Sequence, residues 1–157
     1  MIFLTVGTQL PFDRLIKAVD NWAKDHCEIA FFAQIGETQY EPKHMPWCRF
    51  MDPEEYLLKF KASRSVISHA GIGTIITSLL QEKPLIIMPR LAQFGEHRND
   101  HQLATVKYFE MKGLSIAYNE QDLNILLDDI DNIRVNMKIS QYANENLLAK
   151  LSEYIHS

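Results

Sequence analysis

Two short stretches of this chain hold the residue types that do chemistry. The first is Ser68-His69-Ala70-Gly71-Ile72-Gly73-Thr74. The second is Glu96-His97-Arg98-Asn99-Asp100-His101-Gln102, and between them lie Lys83-Pro84, an apolar run and Pro89-Arg90. Glycines at 71 and 73 let the backbone come close to a ligand, and Thr74 adds a hydroxyl to the N–H groups of a helix start. Such a turn suits a phosphate. The second stretch offers carboxylate, amide and imidazole groups, which suit sugar hydroxyls. Arg90 and Arg98 either balance a diphosphate or stand as solvated charge. The combination is that of a nucleotide-sugar site.

The elements that must position these groups follow from the pattern. Ile2 to Val6 is a continuous apolar run, as a parallel strand covered on both faces requires. Phe12 to Lys24 has helical spacing, Ile29 to Gln34 reads as a strand, and Cys48 to Met51 as a short third one. Residues 37–46, with Pro42 and Pro46, read as an irregular surface loop. Asp52-Pro53-Glu54-Glu55 is a helix start: a capping acid, a proline in the first turn, then acids facing the helix dipole. Ser65 to Ser68 is a strand, Ile72 to Gln81 a helix, Leu85 to Met88 a strand, and Asp100 to Lys112 a helix stopped by Gly113. Leu114 to Tyr118 and a helix from Asn119 or Glu120 to about Ile130 follow. Strand and helix alternate almost throughout, so the expected fold is α/β, a Rossmann-like doubly wound parallel sheet in a single domain over 1–157. In that fold the Gly turn, the polar loop and Gly7-Thr8 after the first strand share the carboxyl edge, where ligands bind.

The last segment, about 134–155, repeats Ile139, Ala143, Leu147, Leu151 and Ile155 at every fourth residue. Its stripe reads as a C-terminal helix that folds back on the sheet, docks on another protein, or does both.

Several chemistries are absent. There is no Gly-x-Gly-x-x-Gly with a following acid and no P-loop motif, which removes the NAD-type fingerprint and P-loop NTPases. No nucleophile–base pair is visible. Glu96, His97 and Asp13 are the candidate bases, none marked out by its neighbours. His97 and His101, four apart with Glu96 and Asp100 nearby, would share a helix face and raise a metal site, although no third ligand suggests itself. His69 reads either as a core histidine bonded to backbone or as a donor to a phosphate oxygen.

Composition bounds the rest. The 157 residues are 46% hydrophobic and 23% charged, enough for one globular core. A formal charge of −4 without a basic run argues against nucleic acid. Cys27 and Cys48 fit no zinc or redox spacing and read as reduced thiols. The start reads as a strand rather than a signal peptide, and no apolar run approaches the roughly 20 residues of a membrane span.

The pattern His69-Ala-Gly-x-Gly-Thr74, Lys83-Pro84, Pro89 and Asp100-His101-Gln102 resembles the donor-binding half of GT-B glycosyltransferases of family 28. The resemblance is strongest to a branch of small split subunits. That branch includes the catalytic subunit adding the second GlcNAc to a dolichol-linked sugar, and short bacterial proteins of exopolysaccharide and capsule synthesis. Phe3-Leu-Thr-Val-Gly-Thr8 with Phe12-Asp13 is similar to the start of the branch. Pro89-Arg90, Phe94-Gly95-Glu96-His97 and Asn99-Asp100-His101-Gln102 are similar to its bacterial form. The resemblance covers residues 1 to about 118.

It implies inverting transfer of a hexose-type sugar from a UDP-sugar, with no obligatory metal or other cofactor. It also implies a lipid-linked saccharide acceptor and a membrane-anchored partner subunit supplying the acceptor half. The protein would then be cytoplasmic, held at the cytoplasmic face of the membrane by that partner. Gly7, Thr8, His69, Ala70, Gly71, Gly73 and Thr74 would line the diphosphate. Asp100, His101 and Gln102 would address the donor sugar. The base would be Glu96 or His97, or would belong to the partner. One departure stands out: many relatives carry a ribose-binding Glu where this chain has Thr77. A non-catalytic accessory protein with a vestigial nucleotide pocket is therefore the second expectation. An epimerase fragment or a hydrolase built on His97 and His101 is the third.

Overall fold

The apolar run at the start forms β1, Ile2–Thr5, the first strand to be placed in a six-stranded, wholly parallel sheet. The computed structural model describes residues 1–137, together with Asn146 and Ala149. The chain continues through α1 (Asp13–Lys24), β2 (Phe31–Gln34), β3 (Trp47–Cys48), α2 (Pro53–Ala62), β4 (Ser65–His69) and α3 (Ile72–Leu80). Then come β5 (Leu85–Met88), a 3-10 turn (Ala92–Phe94), α4 (His101–Met111), β6 (Ser115–Ile116), α5 (Glu120–Asp128) and a second 3-10 turn (Ile130–Asn132). The strand order is β3-β2-β1-β4-β5-β6, the doubly wound order. Winding runs outward from β1 to β3, then crosses back and runs outward again from β4. The order therefore reverses between β1 and β4, where Ile2 pairs with Ser65 and Thr5 with Ser68.

Alternation along the strands feeds two cores, one on each face. Ile2, Leu4, Ile67 and Ile86 point to the layer of α1 and α5, with Leu15, Val19, Leu123 and Leu127. Phe3, Val66, Leu85 and Ile87 point to the layer of α2, α3 and α4, with Phe60, Ile75, Leu79, Val106 and Phe109. Burial on both faces is why these strands read as unbroken apolar runs. The Trp22 indole N–H donates to Asp128 (2.8 Å) and ties α1 to α5.

Local signals hold where their chemistry is local. Asp52 caps α2 by accepting from the Glu55 N–H, with Pro53 in the first turn. Gly113 leaves α4 with φ +86°. Lys83 Nζ donates to the carbonyls of Lys61 and Ser63 (2.6 and 2.5 Å), closing the end of α2 with a cation.

Several boundaries differ from the sequence reading, β2 among them, which begins at Phe31 rather than Ile29. The third strand is Trp47–Cys48 rather than Cys48 to Met51. Arg49 turns its guanidinium back onto the carbonyls of Gly36 and Thr38, and the chain leaves the edge there for α2. The last strand is reduced to Ser115–Ile116 at the opposite edge. Arg134 to Met137 are not helical, with Val135 and Met137 resting against the α2–α3–α4 core, so a helix beginning at about 134 is not formed there. The remainder of that expected helix lies outside the described residues, apart from Asn146 and Ala149, which are helical. Residues 37–46 have no regular structure but are tied down. Asp13 accepts from the N–H groups of Gln39 and Tyr40, and the buried Asp20 accepts from the Tyr40 hydroxyl and from the Lys43 and His44 N–H groups. Burial opposes the Asp20 charge, yet these bonds outweigh it and hold its carboxyl below the usual range.

Candidate functional site

The carboxyl ends of β1 and β4 open a cleft of about 440 Å3 at the point where the strand order reverses. Open α/β sheets bind ligands at this position. Its walls come from three connections: Val6 to Leu10 after β1, the His69–Thr74 turn after β4, and Arg90, His97 and Gln102 around the loop after β5.

His69 ends β4, and its ring occupies the space that two glycines leave open. A Cβ on Gly71 would stand 2.2 Å from Nε2, and one on Gly7 would stand 2.9 Å from Cε1. Gly7 also has φ +74°, a conformation that favours glycine. Burial, reinforced by the nearby Arg90 charge and by His97, pushes the His69 pKa down to about 3, against a backbone bond to Thr5 that pulls the other way. The imidazole is therefore neutral at physiological pH and serves a ligand as a hydrogen-bond group, not as a cation.

Gly71 caps α3 without a side-chain bond, and the first bond of the helix runs from the Ile75 N–H to the Gly71 carbonyl. The N–H groups of the first turn thus face the cleft edge uncapped, where an anion is favoured. At Gly73 an added Cβ would meet nothing within 4 Å. Among the described residues no packing requires glycine there, and Gly73 lies on the cleft wall.

Arg90 supplies the positive charge. It is 3% exposed, and its guanidinium donates to the carbonyls of Val6 (2.8 Å) and Leu10 (2.6 Å) while lying 5.1 Å from the Phe12 ring centroid. Burial lowers its pKa to about 10, opposed by Glu96, so it remains charged near neutrality. Its Nε has no partner among the described residues. Arg90 is not solvated charge; it is a strut under the β1–α1 loop and also lines the cleft. Arg98 is exposed and does not line the cleft.

Of the residues expected at the site, Gly7, Thr8, His69, Gly71, Gly73, Thr74, Arg90 and Gln102 line the cleft, as does His97. Ala70 is buried in the α2–α3–α4 core. Asp100 and His101 are not among the lining residues. Asp100 accepts from the Ala92 N–H (2.9 Å) and closes its own loop, while the His101 N–H donates to the Asn99 side chain. Gln102 has its carbonyl oxygen on the Arg90 N–H (3.0 Å). Thr77 donates its hydroxyl to the Gly73 carbonyl (2.8 Å), an ordinary helical back-bond.

The candidate bases separate. Both oxygens of Glu96 are taken by Arg14 (2.8 and 3.0 Å), one of them also by the Leu91 N–H, and the residue is buried. His97 Nδ1 accepts from the Asn99 N–H (3.4 Å). Asp13 lines a separate cleft. Because α4 begins at His101, His97 lies before the helix and the two histidines do not share a helix face. Among the described residues, no three His, Cys, Asp or Glu side chains gather as a metal's ligands would. Also among them, no helix is long and apolar enough to cross a membrane.

Arg14 was not visible in the sequence as a site residue. Besides Glu96 it donates to the carbonyls of Pro89 and Tyr118, partners 75 to 104 residues away, and no local pattern announces such contacts.

A parallel sheet wound outward from β1 and β4, with a glycine turn and an uncapped helix at the reversal point, defines a Rossmann-like domain of the kind that forms one half of a GT-B fold. The chain belongs to the glycosyltransferase family 28 C-terminal domain, whose sequence model matches residues 1–155. Solved structures share the fold at low identity. The NMR structure of ALG13 superposes with a TM-score of 0.64 at 20% identity, covering 99% of this chain and 96% of that one. The glycotransferase of kitacinnamycin gives 0.58 at 16%, with this chain spanning 38% of its length. The C-terminal CMP-Kdo binding domain of WaaA from Acinetobacter baumannii gives 0.52 at 11%, covering all of this chain and 90% of that domain.

Proposed function

We propose that this chain is the donor-binding subunit of an inverting glycosyltransferase that moves a hexose-type sugar from a UDP-sugar to a lipid-linked saccharide. The observation that carries this reading is the His69–Thr74 turn: uncapped helix N–H groups and an open Gly73 above a buried Arg90. A diphosphate would seat on the helix start, with the neutral His69 ring beside it. The acceptor hydroxyl would attack the anomeric carbon as the bond to the diphosphate breaks, and UDP would leave with that electron pair. Both oxygens of Glu96 are engaged, and the base that takes the hydroxyl proton is assigned to a partner subunit.

A membrane-anchored partner supplying the acceptor half follows from the resemblance to small split subunits, which the likeness to ALG13 supports. It would bring the protein to the cytoplasmic face of the membrane, in exopolysaccharide or capsule synthesis. The structural likeness to a domain named for CMP-Kdo binding supports a nucleotide-sugar occupant for the cleft. The nucleobase comes from the resemblance to UDP-sugar enzymes.

Thermal unfolding with UDP, GDP, ADP and TDP, with and without magnesium, tests the reading. A ligand at 100 times its Kd stabilises by about 2.7 kcal/mol. For a domain of this size that raises Tm by about 5 to 10 °C. UDP alone is expected to do so, without magnesium. Stabilisation by another nucleotide only, or by none in the presence of the partner, would overturn it.

A second reading has one observation behind it. Thr77 spends its hydroxyl proton on the Gly73 carbonyl and offers a ribose no carboxylate, as an accessory protein with a vestigial pocket would allow. Full transfer by the partner complex after disruption of Gly71 to Thr74 would favour that reading.

A further inference from the structure

A second cleft, of about 280 Å3, opens beside the first on the same edge of the sheet. It is lined by Pro11, Asp13, Arg14, Phe94, Gly95 and Glu96. Neighbours in sequence divide the two spaces. Leu10 lines the first and Pro11 the second, while His97 lines the first and Glu96 the second.

Its chemistry is that of an aromatic platform beside a fixed carboxylate. Phe94 is 58% exposed, although it sits in a cleft. The Arg14 guanidinium lies 5.1 Å from its ring centroid, and Gly95 follows at φ +67° with open space around it. Asp13 is immobilised through Oδ1 by the Gln39 and Tyr40 N–H groups (3.1 and 2.7 Å), and its Oδ2 has no hydrogen bond to any described residue. Arg14 and Glu96 neutralise one another through two bonds, so the charge left over is that of Asp13. A cleft with that charge disfavours phosphate and carboxylate ligands. It suits a molecule with one apolar C–H face for the ring and hydroxyls for the carboxylate.

We propose that this second cleft is a subsite for a neutral hexopyranose unit of the acceptor saccharide, stacked on Phe94 and hydrogen-bonded to Asp13. The assignment to the acceptor rests on the donor occupying the first cleft. The donor half then contributes to acceptor recognition, instead of leaving it to a partner alone.

Two-dimensional 1H–15N spectra of the full chain, titrated with methyl β-D-glucopyranoside, methyl β-D-galactopyranoside and methyl β-D-glucuronide, provide the test. Separate samples receive UDP. At least one neutral glycoside is expected to move the Arg14, Phe94 and Gly95 amides with a millimolar Kd, and the glucuronide to leave them in place. Phe94→Ala is expected to weaken that binding at least tenfold with an otherwise native spectrum. Asp13→Asn, which retains the Oδ1 acceptor, should weaken it severalfold.

Neutral glycosides that leave these amides unmoved, or that bind Phe94→Ala as well as wild type, overturn the subsite. Equal binding of the glucuronide overturns its neutral specificity. UDP reports on the donor reading by itself, through the Gly71 to Thr74 amides. If UDP binds and glycosides do not, the subsite falls and the donor reading stands. If glycosides bind and UDP does not, the sugar site stands and its acceptor role falls.

Discussion

The turn after β4 and the loop after β5 look unequal in sequence, and the structure reverses the inequality. The loop, Glu96 to Gln102, is dense in polar side chains, whereas the turn has little beyond one histidine, two glycines and a threonine. Yet much of the loop's acceptor capacity goes into holding it together: both oxygens of Glu96 to Arg14 and Leu91, Oδ1 of Asp100 to the Ala92 N–H, and the Gln102 carbonyl oxygen to the Arg90 N–H. The turn keeps its helix N–H groups uncapped and the space over Gly73 clear. A polar side chain near a cleft is available only after the backbone groups around it have been satisfied. Chemical offer is measured by what stays unpaired.

The largest expected effect breaks the loop side of that contrast. Glu96→Ala strands the Arg14 guanidinium and the Leu91 N–H, at a cost of about 3 kcal/mol. Tm should fall by about 6 to 12 °C in a thermal scan. A loss of transfer with unchanged Tm would return Glu96 to the role of base.

Gly71→Ala attacks the turn. Its Cβ meets the His69 ring at 2.2 Å, so the ring must move, with an expected destabilisation of about 1–3 kcal/mol. The telling readout is UDP, which should no longer raise Tm.

The His69 environment gives a slope with pH. The folded ring takes a proton only near pH 3, the unfolded one near 6.5. Above pH 6.5 neither state binds that proton and His69 contributes no slope. As pH falls from 6.5 toward about 3 the unfolded chain binds it first, so stability declines, by up to about 1.4 kcal/mol per unit. Urea unfolding between pH 7 and 5 should show this decline in wild type and a shallower one in His69→Asn.

The smallest effect on the fold is the most pointed. Gly73→Ala should leave stability unchanged or raise it by up to about 1 kcal/mol, since alanine is the better helix residue and meets nothing. The same change should weaken UDP. If UDP protects this variant as well as wild type, the open space is not a ligand's.

What was legible in the sequence were the features whose causes are local. The Asp52-Pro53 helix start and the Gly113 stop are written in neighbouring residues, and the two-faced sheet shows in unbroken runs such as Ile2-Phe3-Leu4. The His69–Thr74 turn was readable for the same reason. The functions within 96–102 were not, because the partners that occupy them come from elsewhere: Arg14 stands 82 residues from Glu96. Residues 37–46 looked loose because Asp13 and Asp20, which anchor them, lie on the preceding helix. Arg90 read as a diphosphate partner or as solvated charge, since nothing local says that it reaches the carbonyls of Val6 and Leu10.

The reversal of strand order has a consequence for how the protein comes into being. The cleft is bounded by the ends of β1 and β4, whose pairing joins Ile2 to Ser65. Closing so long a loop is entropically costly and slow relative to forming a local hairpin or helix. Its far wall, with His97 and Gln102, is later still in the chain. A ribosome-bound fragment ending before β5 would therefore have the glycine turn but not the far wall of the cleft, which Arg90, His97 and Gln102 complete. On the proposed function, donor binding would become available only once both walls of the cleft exist, and UDP protection would report that the strands bounding it have assembled.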